Sequence, residues 1–242
     1  MPRSIDHLTL VAADAAELAA ALTRLGFTLD AQGLAVDLPD GFGLNLFAPH
    51  APAGSDRDGA AARAFLASFA TRHRGPALLA FAEDGPVSFG CAPLAGGEDC
   101  GFLLGPPRDA VASSHANGAL GLKCVTATAE NPADYAEFLS KLTGQREMLA
   151  TSSGLEIKLG DQRLEILTPP AFAFRFGCVA PDPEGLRLAG VSLRIASFEQ
   201  AAKFLAKNKI LARADGVRLL IAPPQGLGLA FALEQEKETT HV

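Results

Sequence analysis

The sequence predicts an α+β fold built from one repeated unit: a strand, a helix and three further strands (βαβββ). Three observations predict it. Strand-like runs open three stretches, Ile5-Asp6-His7-Leu8-Thr9-Leu10-Val11, Leu122-Lys123-Cys124-Val125-Thr126-Ala127-Thr128 and Leu188-Ala189-Gly190-Val191-Ser192-Leu193-Arg194. Each run is followed by an acidic or polar helix start and an amphipathic helix. A single unit of this kind cannot bury its own apolar faces, so the copies must pair.

The first unit runs from Ile5 to Pro49. Alternation puts His7, Thr9 and Val11 on one strand face and Leu8 and Leu10 on the other. Asp14 stands where an N-cap belongs, Leu18, Leu22 and Leu25 form one helical stripe, and Gly26 ends the helix. Phe27–Asp30, Gly33–Leu38 and Gly43–Phe47 then read as three short strands. The third unit, Gly118 to Pro169, begins its helix at Asn131-Pro132 and places Tyr135, Phe138, Leu139 and Leu142 on the apolar stripe before Gly144. A Gly160-Asp161 turn joins two alternating runs as a hairpin. The fourth unit, Arg187 to Gln235, has Ser197 as N-cap and strands at Ile210–Arg213, Val217–Ala222 and Leu227–Leu233.

The second unit is eroded. Ala60–Arg74 reads as helix, Ala77–Ala82 as strand and Cys100–Gly105 as a last strand, but Glu83-Asp84-Gly85-Pro86 signals a turn where a helix should follow. Gly105–Asn117, rich in Pro, Gly and Ser, is the linker between an N-terminal half, 1–110, and a C-terminal half, 111–242. Pro181–Gly185 is a shorter break, and Glu234–Val242 reads as a frayed polar tail.

Composition narrows the function classes. At 242 residues and 48% hydrophobic, the chain can bury a large core. No apolar run approaches the roughly 18 residues that cross a bilayer, and Asp14 and Glu17 break the first hydrophobic run before it could act as a signal core. A soluble, cytoplasmic protein without a membrane partner is the expectation. A net charge of −6 with scattered basic residues gives no footprint for nucleic acid. Cys91, Cys100, Cys124 and Cys178 lack zinc-ribbon spacing and read as reduced, buried thiols. Fifteen Phe beside one Tyr and no Trp point to core filling or to an apolar cavity wall.

The units in this order resemble the module of the glyoxalase-like, vicinal-oxygen-chelate superfamily (glyoxalase–bleomycin resistance–dioxygenase). The resemblance covers nearly the whole chain and is strongest over 5–47 and 118–170. It implies curved mixed sheets around a central cavity that holds a small ligand, usually on a divalent metal (Zn, Fe, Mn or Ni), and it admits a homodimer. In the family His or Gln on a first strand and Glu on a fourth strand hold the ion. His7 stands at the first-strand position of the first unit, with Asn45 at its fourth strand; Glu165 stands at the fourth strand of the third unit, with Cys124 at its first. The fourth unit offers Gly190 and Ala230 and the second about Ala77, none of which can ligate through a side chain. His7 and Glu165 are therefore the candidate metal ligands. Ser114-His115-Ala116-Asn117-Gly118-Ala119 looks like the His-Pro-Asn-Gly-Ala stretch of some bacterial glyoxalase-like proteins, with Ala116 in place of Pro. That likeness puts His115 on a loop over the ligand.

Each residue also has a plainer role. His7 can be a hydrogen-bonded core imidazole, Glu165 a cross-strand partner of Glu156, Cys124 a core thiol and Asn117-Gly118 a turn. Two functions follow. The main reading is a small-molecule-binding module with an incomplete metal site, its cavity lined by Phe and by His7, Thr9, Asn45, His115, Cys124, Thr126, Thr128 and Glu165. The alternative is a lyase, isomerase or dioxygenase in which a metal on His7 and Glu165 polarises vicinal oxygens.

Overall fold

The alternating run at the N-terminus and the acidic break after it become β1 (Ile5–Val11) and α1 (Ala15–Arg24) in the computed structural model, which describes residues 2–50, 59–93, 99–108, 111, 113–181, 185–223 and 227–235. Asp14 caps α1 by accepting the Ala16 N–H, and Leu18 and Leu22 are buried. The strand expected at Phe27–Asp30 does not form. The Phe27 N–H bonds the Leu22 carbonyl and the Thr28 N–H bonds His115, so the end of α1 and the second half, not a sheet, hold this segment. β2 (Ala35–Asp37) and β3 (Gly43–Phe47) complete the unit.

The second unit is rearranged. Its helix, α2 (Gly59–Arg72), precedes its first strand, β4 (Gly75–Ala82), and no helix separates β4 from β5 (Ser88–Cys91); β6 (Gly101–Gly105) is its last strand. The third unit follows the expected order, with β7 (Ala119–Thr128), α3 (Ala136–Thr143), β8 (Met148–Thr151), β9 (Gly154–Leu159) and β10 (Gln162–Leu167). Its helix start differs in detail. The Asn131 amide bonds the Asp134 carboxylate instead of capping a backbone N–H, and Pro132–Tyr135 makes one tight 3-10 turn before α3. A helix absent from the sequence expectation, α4 (Pro169–Phe176), comes next. β11 (Arg187–Ile195), α5 (Phe198–Lys207), β12 (Ala212–Asp215), β13 (Arg218–Ile221) and β14 (Ala230–Gln235) form the fourth unit, with Ser197 capping α5 through the Gln200 N–H. The tail from 236 lies outside the described residues.

The strands form two mixed, curved sheets, neither closed: β2-β3-β1-β4-β6-β5 and β12-β13-β14-β11-β7-β10-β9-β8. At the centre of each, the first strands of two units meet antiparallel (β1 with β4, β7 with β11). The last strand of each unit flanks them in parallel. One face of both sheets contributes to a single apolar core. Leu18 and Leu22 of α1, Leu139 and Leu142 of α3, and Ala201 and Leu205 of α5 pack there with Leu8, Leu79, Val125 and Val191. The halves are stitched further by Phe27 against Phe231, Phe102 against Phe138, and backbone contact between Gly75 and Gly228.

The opposite face of each sheet carries the site candidates, and each has its own smaller cluster under its own helix. α2 lays Ala62, Leu66 and Phe69 against Val11, Leu78, Ala80 and Leu103. α4 lays Phe172 and Phe176 against Ala189, Leu220, Ala230 and Ala232. Among the described residues no helix is long and apolar enough to cross a membrane.

Candidate functional site

Strand register places the candidate residues in two matching rows. In the first sheet Asn45, Thr9, Leu78 and Gly101 lie side by side across β3, β1, β4 and β6. In the second, Glu165, Thr126, Gly190 and Ala230 do so across β10, β7, β11 and β14. His7 and Cys124 sit two residues before Thr9 and Thr126, opposite Gly43 and Arg163 respectively.

Around the first row a buried polar cluster has formed. An irregularity in β1 between Ile5 and His7 breaks the strict alternation, and the adjacent side chains of Asp6 and His7 meet, His7 Nδ1 lying 2.7 Å from Asp6 Oδ2. Arg108, from the linker after β6, lies over this cluster. Its backbone N–H donates to Asp6 Oδ1 (2.9 Å), and its guanidinium donates to Asn45 Oδ1 (2.9 Å) and Asp37 Oδ1 (2.5 Å). The guanidinium rests on Gly43, where a Cβ would overlap it, so the glycine is required by close approach. Burial alone would raise the Asp6 pKa, but the bonds from His7 and the Arg108 N–H, with the charges of both, hold it below the ordinary carboxylate range.

The second row is built the same way from different elements. Glu165, 3% exposed, accepts the Thr126 hydroxyl (2.7 Å) and makes an ion contact with Arg175 Nε of α4 (3.0 Å). Burial pushes the Cys124 thiol pKa far up and the Glu165 charge pushes it further, against a smaller opposing pull from Arg175 and Arg163. Both effects favour the neutral thiol over the thiolate at Cys124.

Each row contains a glycine packed against a phenylalanine of the covering helix. A Cβ on Gly190 would lie 2.6 Å from Phe176, and one on Gly101 would lie 2.7 Å from Phe65. Phe172 and Phe176, one helical turn apart, stack at 4.7 Å.

His115 lies beside the first row. It is 8% exposed; its Nδ1 accepts the Thr28 N–H (3.1 Å) and its Nε2 lies 3.1 Å from the Asp37 carbonyl, as donor in that tautomer. Asp37 thus binds His115 through its backbone and Arg108 through its carboxylate. Asn117, fully buried, donates to the Leu25 carbonyl and accepts the Ala119 N–H, so 115–119 fastens the second half to the end of α1. Burial lowers the His115 pKa against a weaker upward pull from Asp37. A lowered histidine pKa means that the fold favours the neutral ring. Its stability contribution is complete above the unfolded value of about 6.5 and is lost as pH falls through the lower folded value. Stability should therefore fall as pH drops below about 6.5. His115→Gln, which keeps a donor and an acceptor, should flatten that slope in urea melts; an unchanged slope would remove His115 as the source.

The sequence candidates thus fall into two groups: His7, Thr9 and Asn45, with His115 at their edge, and Cys124, Thr126 and Glu165. His7 and Glu165, expected to share one ion, lie on different sheets under different helices. Among the described residues no three His, Cys, Asp or Glu side chains gather as a metal site. The oxygens of Asn45 and Glu165 already face guanidinium groups, so these residues do not fit the metal that the fold family implies. Sequence reading missed Arg108, Asp6, Asp37 and Arg175. For Arg175 a signal existed: Thr168-Pro169-Pro170 and Gly177 bracket a helix by cap and stop rules.

No family profile and no curated protein sequence matches the chain. Solved structures do. A triple mutant of 4-hydroxymandelate synthase from Streptomyces coelicolor superposes with TM-score 0.58 at 16% identity, over 97% of this chain and 92% of that one. The 2,3-dioxygenase LapB from Pseudomonas sp. KL28 gives TM-score 0.53 at 12% identity, over 96% and 91%. A xylose isomerase-like TIM barrel/4-hydroxyphenylpyruvate dioxygenase fusion protein gives 0.56 at 12% identity, over all of this chain and 50% of that one. All three are vicinal-oxygen-chelate proteins. The chain has the vicinal-oxygen-chelate fold.

Proposed function

We propose that this protein is a metal-independent small-molecule-binding member of that fold, taking an apolar, aromatic ligand on the second sheet beneath α4. The observation that carries the reading is the Phe172–Phe176 pair packed over Gly190, Ala230 and Ala232. Small residues on the sheet leave an apolar slot that Phe172 and Phe176 now fill, so a ligand ring would enter by displacing one of these side chains. The Glu165 carboxylate beside it is committed to Thr126 and Arg175.

The test is binding of anilinonaphthalene sulfonate and a set of substituted phenols to the full chain, with and without chelator. Saturable binding that survives chelation and is lost in Ala230→Leu, which fills the slot, supports the reading. The names of the structural neighbours favour one rival, a metal-dependent dioxygenase. Binding or turnover of vicinal diols only after loading with Fe, Mn, Zn or Ni would replace the proposal with that rival.

A further inference from the structure

We infer that in each sheet an arginine guanidinium supplies the positive charge for which this fold otherwise takes a divalent cation. The inference needs the fold but not the ligand reading above. Arg108 arrives from the linker and Arg175 from α4, two elements unrelated in the repeat, yet each guanidinium contacts the last-strand residue of its row, Asn45 or Glu165. Convergence of unrelated segments on equivalent positions points to an electrostatic requirement there. In the first sheet the oxygens around the guanidinium, from the Asp6 and Asp37 carboxylates and the Asn45 amide, are hard ligands of the kind that hold Mg, Mn or Zn. Gly43 removes the side chain that would keep the guanidinium away. A carboxylate pair in a buried site needs a counter-charge, and a planar guanidinium donates in several directions at once, as an ion coordinates. Delivered by the chain, that charge is present whenever the protein is folded, whatever the metal supply.

Removing the guanidinium should therefore create a demand for a metal. In thermal melts of the full chain, MnCl2, ZnCl2 and chelator should leave the wild type unmoved. Arg108→Ala should lower Tm by about 6–20 °C, and millimolar Mn2+ or Zn2+ should restore at least half of that loss. The double variant Arg108→Ala with Asp37→Asn should show the loss with little or no rescue. An ordinary structural ion pair would give the destabilisation without the metal rescue. Arg175→Ala, rescued unless paired with Glu165→Gln, repeats the test in the second sheet should the first variant fail to fold. Absence of rescue in either variant that folds overturns the inference. So does a wild-type Tm that rises with metal or falls with chelator. Failure of the phenol-binding assay alone leaves the inference standing, because these melts contain no organic ligand.

Discussion

Phe172→Ala should cost about 3–5 kcal/mol of unfolding free energy, the range for truncating a fully buried aromatic ring. Phe172 has no exposed surface, stacks on Phe176, and sits in the cluster that fastens α4 to the second sheet. Its removal opens a void that two facing alanines and a glycine cannot fill. Urea unfolding would measure the loss. A cost below about 1 kcal/mol would mean that α4 is not an integral wall of the sheet. The same variant bears on ligand binding: if an aromatic ligand shares this slot, the void should bind small aromatic molecules more tightly than the wild type, as apolar cavities do.

Asp99 is the second position where a single change should matter. Its carboxylate, 6% exposed, lies 2.7 Å from Arg72, 2.9 Å from His73 and 2.5 Å from Arg187. The cluster thus joins the end of α2 to the start of β11. Asp99→Ala leaves Arg187, whose side chain is only 17% exposed, without this counter-charge. The expected cost is about 2–3 kcal/mol, at the low end for a broken buried pair because Arg72 and His73 reach solvent. Burial pushes the Asp99 pKa up, but the Arg187 bond and the electrostatic pull of Arg187, His73 and Arg72 overcome it and leave the pKa depressed. A depressed carboxylate contributes stability that is complete above its unfolded pKa of about 3.9 and is lost as pH falls through the folded value. Asp6 behaves likewise. Acid melts should steepen below about pH 5, and Asp99→Asn should be both weaker at neutral pH and less sensitive to acid. Equal acid slopes would assign the loss to other groups.

Local signals carried much of the fold into the sequence. Asp14 and Ser197 cap helices as residue type requires, the Gly160-Asp161 turn closes its hairpin, and the second unit lacks the helix that its turn residues forbade. Phe27–Asp30 misled because its apolar content serves a contact with the second half, which strand alternation cannot distinguish from a sheet. The site was half legible. Register brings Thr126 to Glu165 and Thr9 to Asn45, with Cys124 two residues before on the same face, as period-two alternation demands. What occupies those residues was not legible. Arg108 and Arg175 reach them from outside the repeat, across 63 positions for the Arg108–Asn45 bond, and no local pattern encodes such a meeting.

The order of the two sheets along the chain has a consequence for how the protein is made. Every strand of the first sheet lies within residues 5–105 and every strand of the second within 119–235. A ribosome therefore completes the first sheet's sequence before the second has begun to emerge. Yet Leu8, Leu18, Leu22 and Leu79 belong to a core that is finished only by Val125, Val191 and Leu205. For that interval the nascent first half carries an apolar surface awaiting its other side, the condition under which chains engage chaperones or aggregate.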